Sequence, residues 1–246
     1  MIFNKKQRLK ATILQLRSND SYEYNLERLI DFIRANQNSK VIVVPEVYLT
    51  KYDYDNINNM ASFGKKALKA LKKIIDNQIL VITIILKDKK SNSFTNRAVV
   101  IHNHKIVHKQ DKYKLFKLGK EHKYLKAGKK NKIIPFEVDG IRFGILICFE
   151  LRFKELWKAL EGVDIIVIPA RWGIMRKEHL EILSKALAII NQCFVLVANS
   201  KDEDMASSSA IISPSGESIF DDNSEVIVGN IDFKEIKKMR RYIVMD

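Results

Sequence analysis

Five short runs of almost purely apolar, largely β-branched residues limit what this chain can fold into. They cover residues 41–44, 79–86, 141–147, 164–169 and 194–198. Each has the length of a strand, and most show no polar alternation, the pattern of a strand buried on both faces. Between them lie segments of helical period. Residues 22–35 carry Leu26, Leu29, Ile30 and Ile33 on one face, and 61–76 carry Ala67, Leu68, Leu71, Ile74 and Ile75. Helices are also expected over 150–160 and 177–191. Further strands are expected over 8–16 and 94–101, with hairpin-like strands at 210–213 and 226–231 around Pro214-Ser-Gly216. Strands alternating with helices predict an α/β fold, and the consecutive strands at 79–101 predict a mixed, partly antiparallel sheet.

With 46% hydrophobic residues in 246, the chain can bury a full core. No Pro/Gly-rich linker or internal repeat divides it, so residues 1–246 are read as one domain. No apolar run reaches the roughly 18–20 residues that span a bilayer, and the first residues have no signal-peptide pattern. The only cysteines, Cys148 and Cys193, exclude a disulfide framework and point to a reducing cytoplasm. No CxxC, HExxH or tight His/Cys cluster calls for a metal, and His102, His104 and His108 read as exposed strand or loop residues.

The net charge of +14 admits nucleic acid as a partner. Eleven lysines fall between Lys105 and Lys132. They are spread singly, with no aromatic repeat resembling a base-stacking platform and no nucleic-acid-binding motif, so this stretch is read as a basic loop with a solvated surface.

Cys148 ends one apolar run and opens an amphipathic segment. At a strand-to-helix junction, a helix N-terminus would favour the thiolate. Glu46 ends another apolar run, in Val43-Val-Pro-Glu46, where desolvation would fit a carboxylate for general-base work. In Lys109-Gln-Asp-Lys-Tyr-Lys-Leu-Phe116 one lysine is positioned to face inward. Singly, each has an ordinary reading: a small core thiol, a helix-capping or ion-paired carboxylate, one lysine among many.

Taken in order, these motifs resemble those of the nitrilase superfamily of carbon–nitrogen hydrolases. Ala11-Thr-Ile-Leu-Gln15 is similar to the family's first strand, Pro45-Glu46 to its base motif and Lys112-Tyr-Lys-Leu-Phe116 to its lysine motif. Glu121, trailed by Tyr124 and Gly128, resembles its second glutamate. Cys148-Phe-Glu-Leu-Arg-Phe-Lys-Glu-Leu156 is the most specific match. The resemblance implies a four-layer α-β-β-α sandwich with two mixed β-sheets, and a homodimer or higher homo-oligomer. It implies no cofactor, metal, membrane or nucleic acid. The implied catalytic residues are Glu46, Lys112 and Cys148, with Glu121 in support and the Phe149 backbone N–H at the oxyanion.

The implied reaction is cleavage of a small amide through a cysteine thioester, releasing ammonia or an amine. Arg171, Trp172, Arg176 and His179 fall in a segment similar to the pocket-side loop of omega-amidase-like enzymes, where an arginine would clamp a substrate carboxylate. An N-carbamoyl amine or amino acid is the alternative substrate, and a basic nucleic-acid-binding protein is the alternative of another class. The chain departs from the family at Leu187 and Ile190, where an Arg and a Glu are usual, so a hydrophobic pair is expected there. Lys114 and Lys154 replace a His and a Pro.

Overall fold

The computed structural model describes residues 8–88 and 90–245. Twelve strands form two six-stranded sheets. The first sheet contains β1 (Leu9–Leu14), β2 (Val41–Val43), β3 (Ile79–Lys87), β4 (Phe94–His102), β5 (Lys105–Asp111) and β12 (Val226–Ile231), in the order β12-β1-β2-β3-β4-β5. The second contains β6 (Phe136–Val138), β7 (Ile141–Ile145), β8 (Ile165–Ala170), β9 (Phe194–Asn199), β10 (Ala210–Ile212) and β11 (Ser218–Phe220), in the order β11-β10-β9-β8-β7-β6. Each sheet has three central parallel strands, β1-β2-β3 and β7-β8-β9, flanked by antiparallel neighbours.

Strand period explains the layers. Val41 and Val43 of β2, with Ile79 and Val81 of β3, point into the core between the sheets. Ile42, Leu80 and Ile82 point outward, beneath α1 (Tyr22–Ala35) and α2 (Ile57–Ile74). That double burial is why these strands read as continuous apolar runs. On the second sheet, α5 (Lys177–Ile190) packs Leu180 and Leu187 against the β8–β9 layer, beside Leu156 and Trp157 of α4 (Lys154–Ala159). The result is the four-layer α-β-β-α sandwich. No helix among the described residues is long and apolar enough to cross a membrane.

Several elements differ from the sequence reading. The expected basic loop contains β5, an edge strand whose alternation is masked by exposed lysines at Lys105 and Lys109. The strand β6 is three residues long, too short for a periodicity signal. The terminal hairpin pairs β10 with β11, whereas β12 crosses to the other sheet and pairs with β1. The expected helix over 150–160 is a 3-10 turn, Cys148–Arg152, followed by the short α4. His102 is buried, its Nδ1 2.9 Å from the Gln78 carbonyl, and His108 stacks half-buried on Phe136; His104 is exposed as expected. At the family's Arg/Glu positions, Leu187 enters the core while Ile190 is half exposed, so the two do not share one buried face.

One close approach ties the fold to the site. The Gly128 N–H donates to the Lys112 carbonyl at 2.8 Å. A Cβ on Gly128 would lie 2.3 Å from the Asp111 carbonyl oxygen, which is backbone and cannot yield. Gly128→Ala is therefore expected to cost about 1–3 kcal/mol and to displace Lys112. Thermal denaturation checks this: an unchanged Tm would show that the loop accommodates the methyl group.

Candidate active site

Three strand ends converge between the sheets. Glu46 follows β2, Lys112 follows β5 and Cys148 follows β7. The Glu46 N–H donates to the Ala170 carbonyl at the end of β8 (3.1 Å), and the Lys112 N–H to the Asn96 carbonyl of β4 (2.8 Å). Both hydrogen bonds anchor the loops at the rim of the sandwich. The backbone is held in the left-handed region at Val47 (φ 44°), Lys120 (φ 59°) and Cys148 (φ 48°). These residues adjoin Glu46, adjoin Glu121 and carry the thiol, and each such conformation costs on the order of 1–3 kcal/mol.

Lys112 is completely buried. Its Nζ donates to Glu46 Oε1 and to Glu121 Oε1, both at 2.7 Å. Burial by itself would lower the ammonium's pKa, but the Glu46 and Glu121 carboxylates outweigh it and raise it, so Lys112 is charged. Glu121 opens the four-residue helix α3 (Glu121–Tyr124), and its Oε2 accepts from the Phe116 N–H at 3.0 Å. Burial raises the Glu121 carboxyl, with the lysine pulling it back down.

Sequence reasoning missed two members of this cluster. The Tyr52 hydroxyl lies 2.7 Å from Glu46 Oε1 and 3.0 Å from Glu121 Oε1. Asn96 Nδ2 donates to Glu46 Oε1 at 2.8 Å and to the Tyr52 oxygen at 3.0 Å. Neither residue stands in a motif; only the fold brings them beside Glu46. Burial, then the two carboxylates, push the Tyr52 phenol well above its usual range, so it is a neutral donor. Glu46 Oε1 thus collects three donors, while its Oε2 accepts none from the described residues.

Cys148 lines a cavity of about 380 Å³ together with Glu46, Tyr52, Glu121, Arg171 and Arg176. Burial, then the Glu46 carboxylate, raise its thiol well above the ordinary value, against the Lys112 ammonium and a hydrogen bond from the Arg171 backbone N–H. The sequence expectation of a thiolate favoured by a helix N-terminus is therefore corrected: the junction is a strained 3-10 turn, and burial beside the Glu46 carboxylate favours the protonated thiol. Phe149 lies in the first turn, where backbone N–H groups have no partner within the helix. The other cysteine, Cys193, is a buried core thiol, its pKa pushed up to about 12 by burial.

The pocket-side residues divide. Arg171 is ion-paired with Asp202, so its charge is already met. Arg176 has no carboxylate partner among the described residues; its guanidinium sits 5.5 Å from the Phe116 ring centroid, facing the cavity. Trp172 is buried, donates from its indole N–H to the Arg176 carbonyl at 2.7 Å and lies under Arg152. It lines only a small cleft beside Cys148. His179 is exposed on α5, with Nδ1 3.0 Å from Arg152, and does not line the cavity. Lys114, in place of the motif's usual His, pairs with Glu155 at 3.2 Å and takes no part in the cluster.

With its thiol protonated, Cys148 is expected to react slowly with iodoacetamide at neutral pH. The rate should climb about tenfold per pH unit, without a plateau up to pH 9. Mass spectrometry of the modified peptide follows this; a plateau near neutral pH would mean a resting thiolate.

Comparison with known proteins shows the family and the fold. The family model for carbon–nitrogen hydrolases matches residues 10–241. The chain is 30% identical over 250 residues to 2-oxoglutaramate amidase of Bacillus subtilis, covering 96% of each chain. It is 25% identical to the human omega-amidase, covering 95% of this chain and 92% of that one. The fold matches the crystal structure of Nit3 from Saccharomyces cerevisiae, a nitrilase-superfamily protein, with a TM-score of 0.84. The two are 21% identical, over 100% of this chain and 98% of the other. The chain belongs to the carbon–nitrogen hydrolase family.

Proposed function

We propose that this protein is an omega-amidase-like enzyme that hydrolyses the terminal amide of a small carboxylate-bearing substrate through a Cys148 thioester. The observation that carries this reading is the buried Lys112 ammonium held between Glu46 and Glu121, two carboxylates that line the same cavity as the thiol and Arg176. The similarity to 2-oxoglutaramate amidase supports the substrate class.

Glu46 Oε2, which carries no other hydrogen bond, takes the Cys148 proton as sulfur attacks the amide carbon. The oxyanion is held by the Phe149 backbone N–H and by the third N–H of Lys112, which gives up a long 3.4 Å contact to the Tyr52 oxygen, the other two being spent on Glu46 and Glu121. Each such donor is worth about 3–4 kcal/mol of barrier. Collapse breaks the C–N bond, Glu46 passes its proton to the departing nitrogen, and ammonia leaves. Water, losing its proton to Glu46, then attacks the thioester carbon, and the released sulfur recovers that proton. Glu121 holds Lys112 in place throughout, with Tyr52 and Asn96 fixing the Glu46 carboxylate.

Arg176 receives the substrate carboxylate as a bidentate pair. The part assigned to Arg171 at the sequence level becomes a supporting one, because Asp202 already neutralises it. The reading includes a homodimer in the reducing cytoplasm. Two free buried cysteines and the exposed Ile182, Ile189 and Ile190 of α5, with Ile219 and Phe220 of β11, support it.

Ammonia release from 2-oxoglutaramate, succinamate, an N-carbamoyl amino acid and a simple aliphatic amide tests the chemistry. Cys148→Ala and Glu46→Gln should each reduce turnover to background, and near wild-type release by either would sink the mechanism. Arg176→Met should raise KM for the two carboxylate-bearing amides about 10- to 100-fold, the worth of one charge-assisted pair, and leave the aliphatic amide unaffected. Equal effects on all amides would remove the clamp. Sedimentation should show a dimer of the 28.5 kDa chain; a monomer at micromolar concentration would exclude that part.

A further inference from the structure

Glu150 is fully buried and has no ion-pair partner among the described residues. It lies two residues beyond the nucleophile and reaches back to the lysine segment. Its Oε2 accepts from the Ile147 N–H at 2.7 Å, immediately before Cys148. Its Oε1 accepts from the Tyr113 N–H at 2.6 Å, immediately after Lys112, with the Lys114 N–H behind at 3.4 Å. The strands leading into the same two segments are joined by a hydrogen bond from Gln110 Nε2 to the Ile145 carbonyl at 3.0 Å.

We infer that Glu150 is a positioning residue that holds the Lys112 and Cys148 segments in register, so that the oxyanion donors and the sulfur meet the same carbonyl group. This deepens the reading of the site given above and rests on it. Three geometric facts carry it. A carboxylate offers two oxygens with no hydrogen of its own, so it can receive amides from opposite sides at once. The two amides belong to neighbours of two different reacting groups, one from each sheet. The backbone at Cys148 is strained (φ 48°) and persists only where the surroundings over-determine it. A buried carboxylate is costly unless its oxygens are satisfied, and here the satisfaction comes entirely from these backbone amides. Because Glu150 does not line the cavity at Cys148, its removal should alter the alignment of the reacting groups while leaving the substrate pocket intact.

Glu150→Gln keeps the volume but turns an N–H towards one of the two amide sets, and Glu150→Asp keeps the charge but cannot span both. Each variant should lose about 10- to 100-fold in kcat on the best carboxylate-bearing amide, with KM within threefold of wild type. A readout independent of turnover keeps this separable from the substrate assignment. Iodoacetamide should modify Cys148 at least about threefold faster in both variants as the elbow relaxes. Cys193, buried in the core, should stay unmodified and so report an intact fold. Wild-type kcat and wild-type Cys148 reactivity in a folded variant would overturn the inference. So would a rise in KM without loss of kcat, or failure of both variants to fold, either of which makes Glu150 something other than a positioning group. If no amide is turned over by wild type, the substrate reading fails, and the alkylation comparison alone decides the role of Glu150.

Discussion

Everything in this site depends on one buried charge. An ammonium with no solvent exposure costs several kcal/mol to desolvate, and only close, well-directed carboxylates return that energy. Glu46 and Glu121 do so at 2.7 Å each, and they arrive from opposite sides of the chain's order: one after β2, one from the helix beyond β5. Taking either away would remove one of the two ion pairs that hold the ammonium, and taking both would leave an uncompensated charge in the interior. The cluster therefore locks together three loops that the sandwich alone brings only to the same rim.

The same charge balance sets the chemistry. Burial first, and then the Glu46 carboxylate, raise the Cys148 thiol well above its ordinary value, which fits the base that the proposed mechanism requires. The three donors on Glu46 Oε1 leave Oε2 without a donor among the described residues, and the proposed mechanism uses it as the acceptor for that proton. Elsewhere in the cavity wall Arg176 supplies positive charge, and neither it nor the nearby Arg152 has a carboxylate partner among the described residues. A substrate with a carboxylate at one end and a neutral amide at the other fits this gradient, because the anion stays clear of the carboxylates.

Much of this was legible in the chain. The buried strands announced themselves as apolar runs because both of their faces are covered, and α1 spans the residues 22–35 that its helical period marked. Glu46, Lys112, Glu121 and Cys148 stood in recognisable motifs, and the structure brings all four together. What stayed hidden has physical causes. β5 looked like a loop because an edge strand tolerates charged side chains on its open face. β12 was assigned to the wrong partner because sequence proximity to β10 outweighed a pairing with β1 more than 200 residues away.

Residue types and local spacing by themselves determined the α/β class and the doubly buried strands, and the motifs marked Glu46, Lys112, Glu121 and Cys148 as candidates, since periodicity and short motifs are properties of neighbouring residues. Only the tertiary structure decided the state of those groups. That Cys148 rests as a thiol, that Arg171 is spent on Asp202 while Arg176 is not, and that Tyr52, Asn96 and Glu150 belong to the site all follow from long-range packing. Burial and Coulomb interaction depend on distance in space, and a linear sequence does not carry that distance.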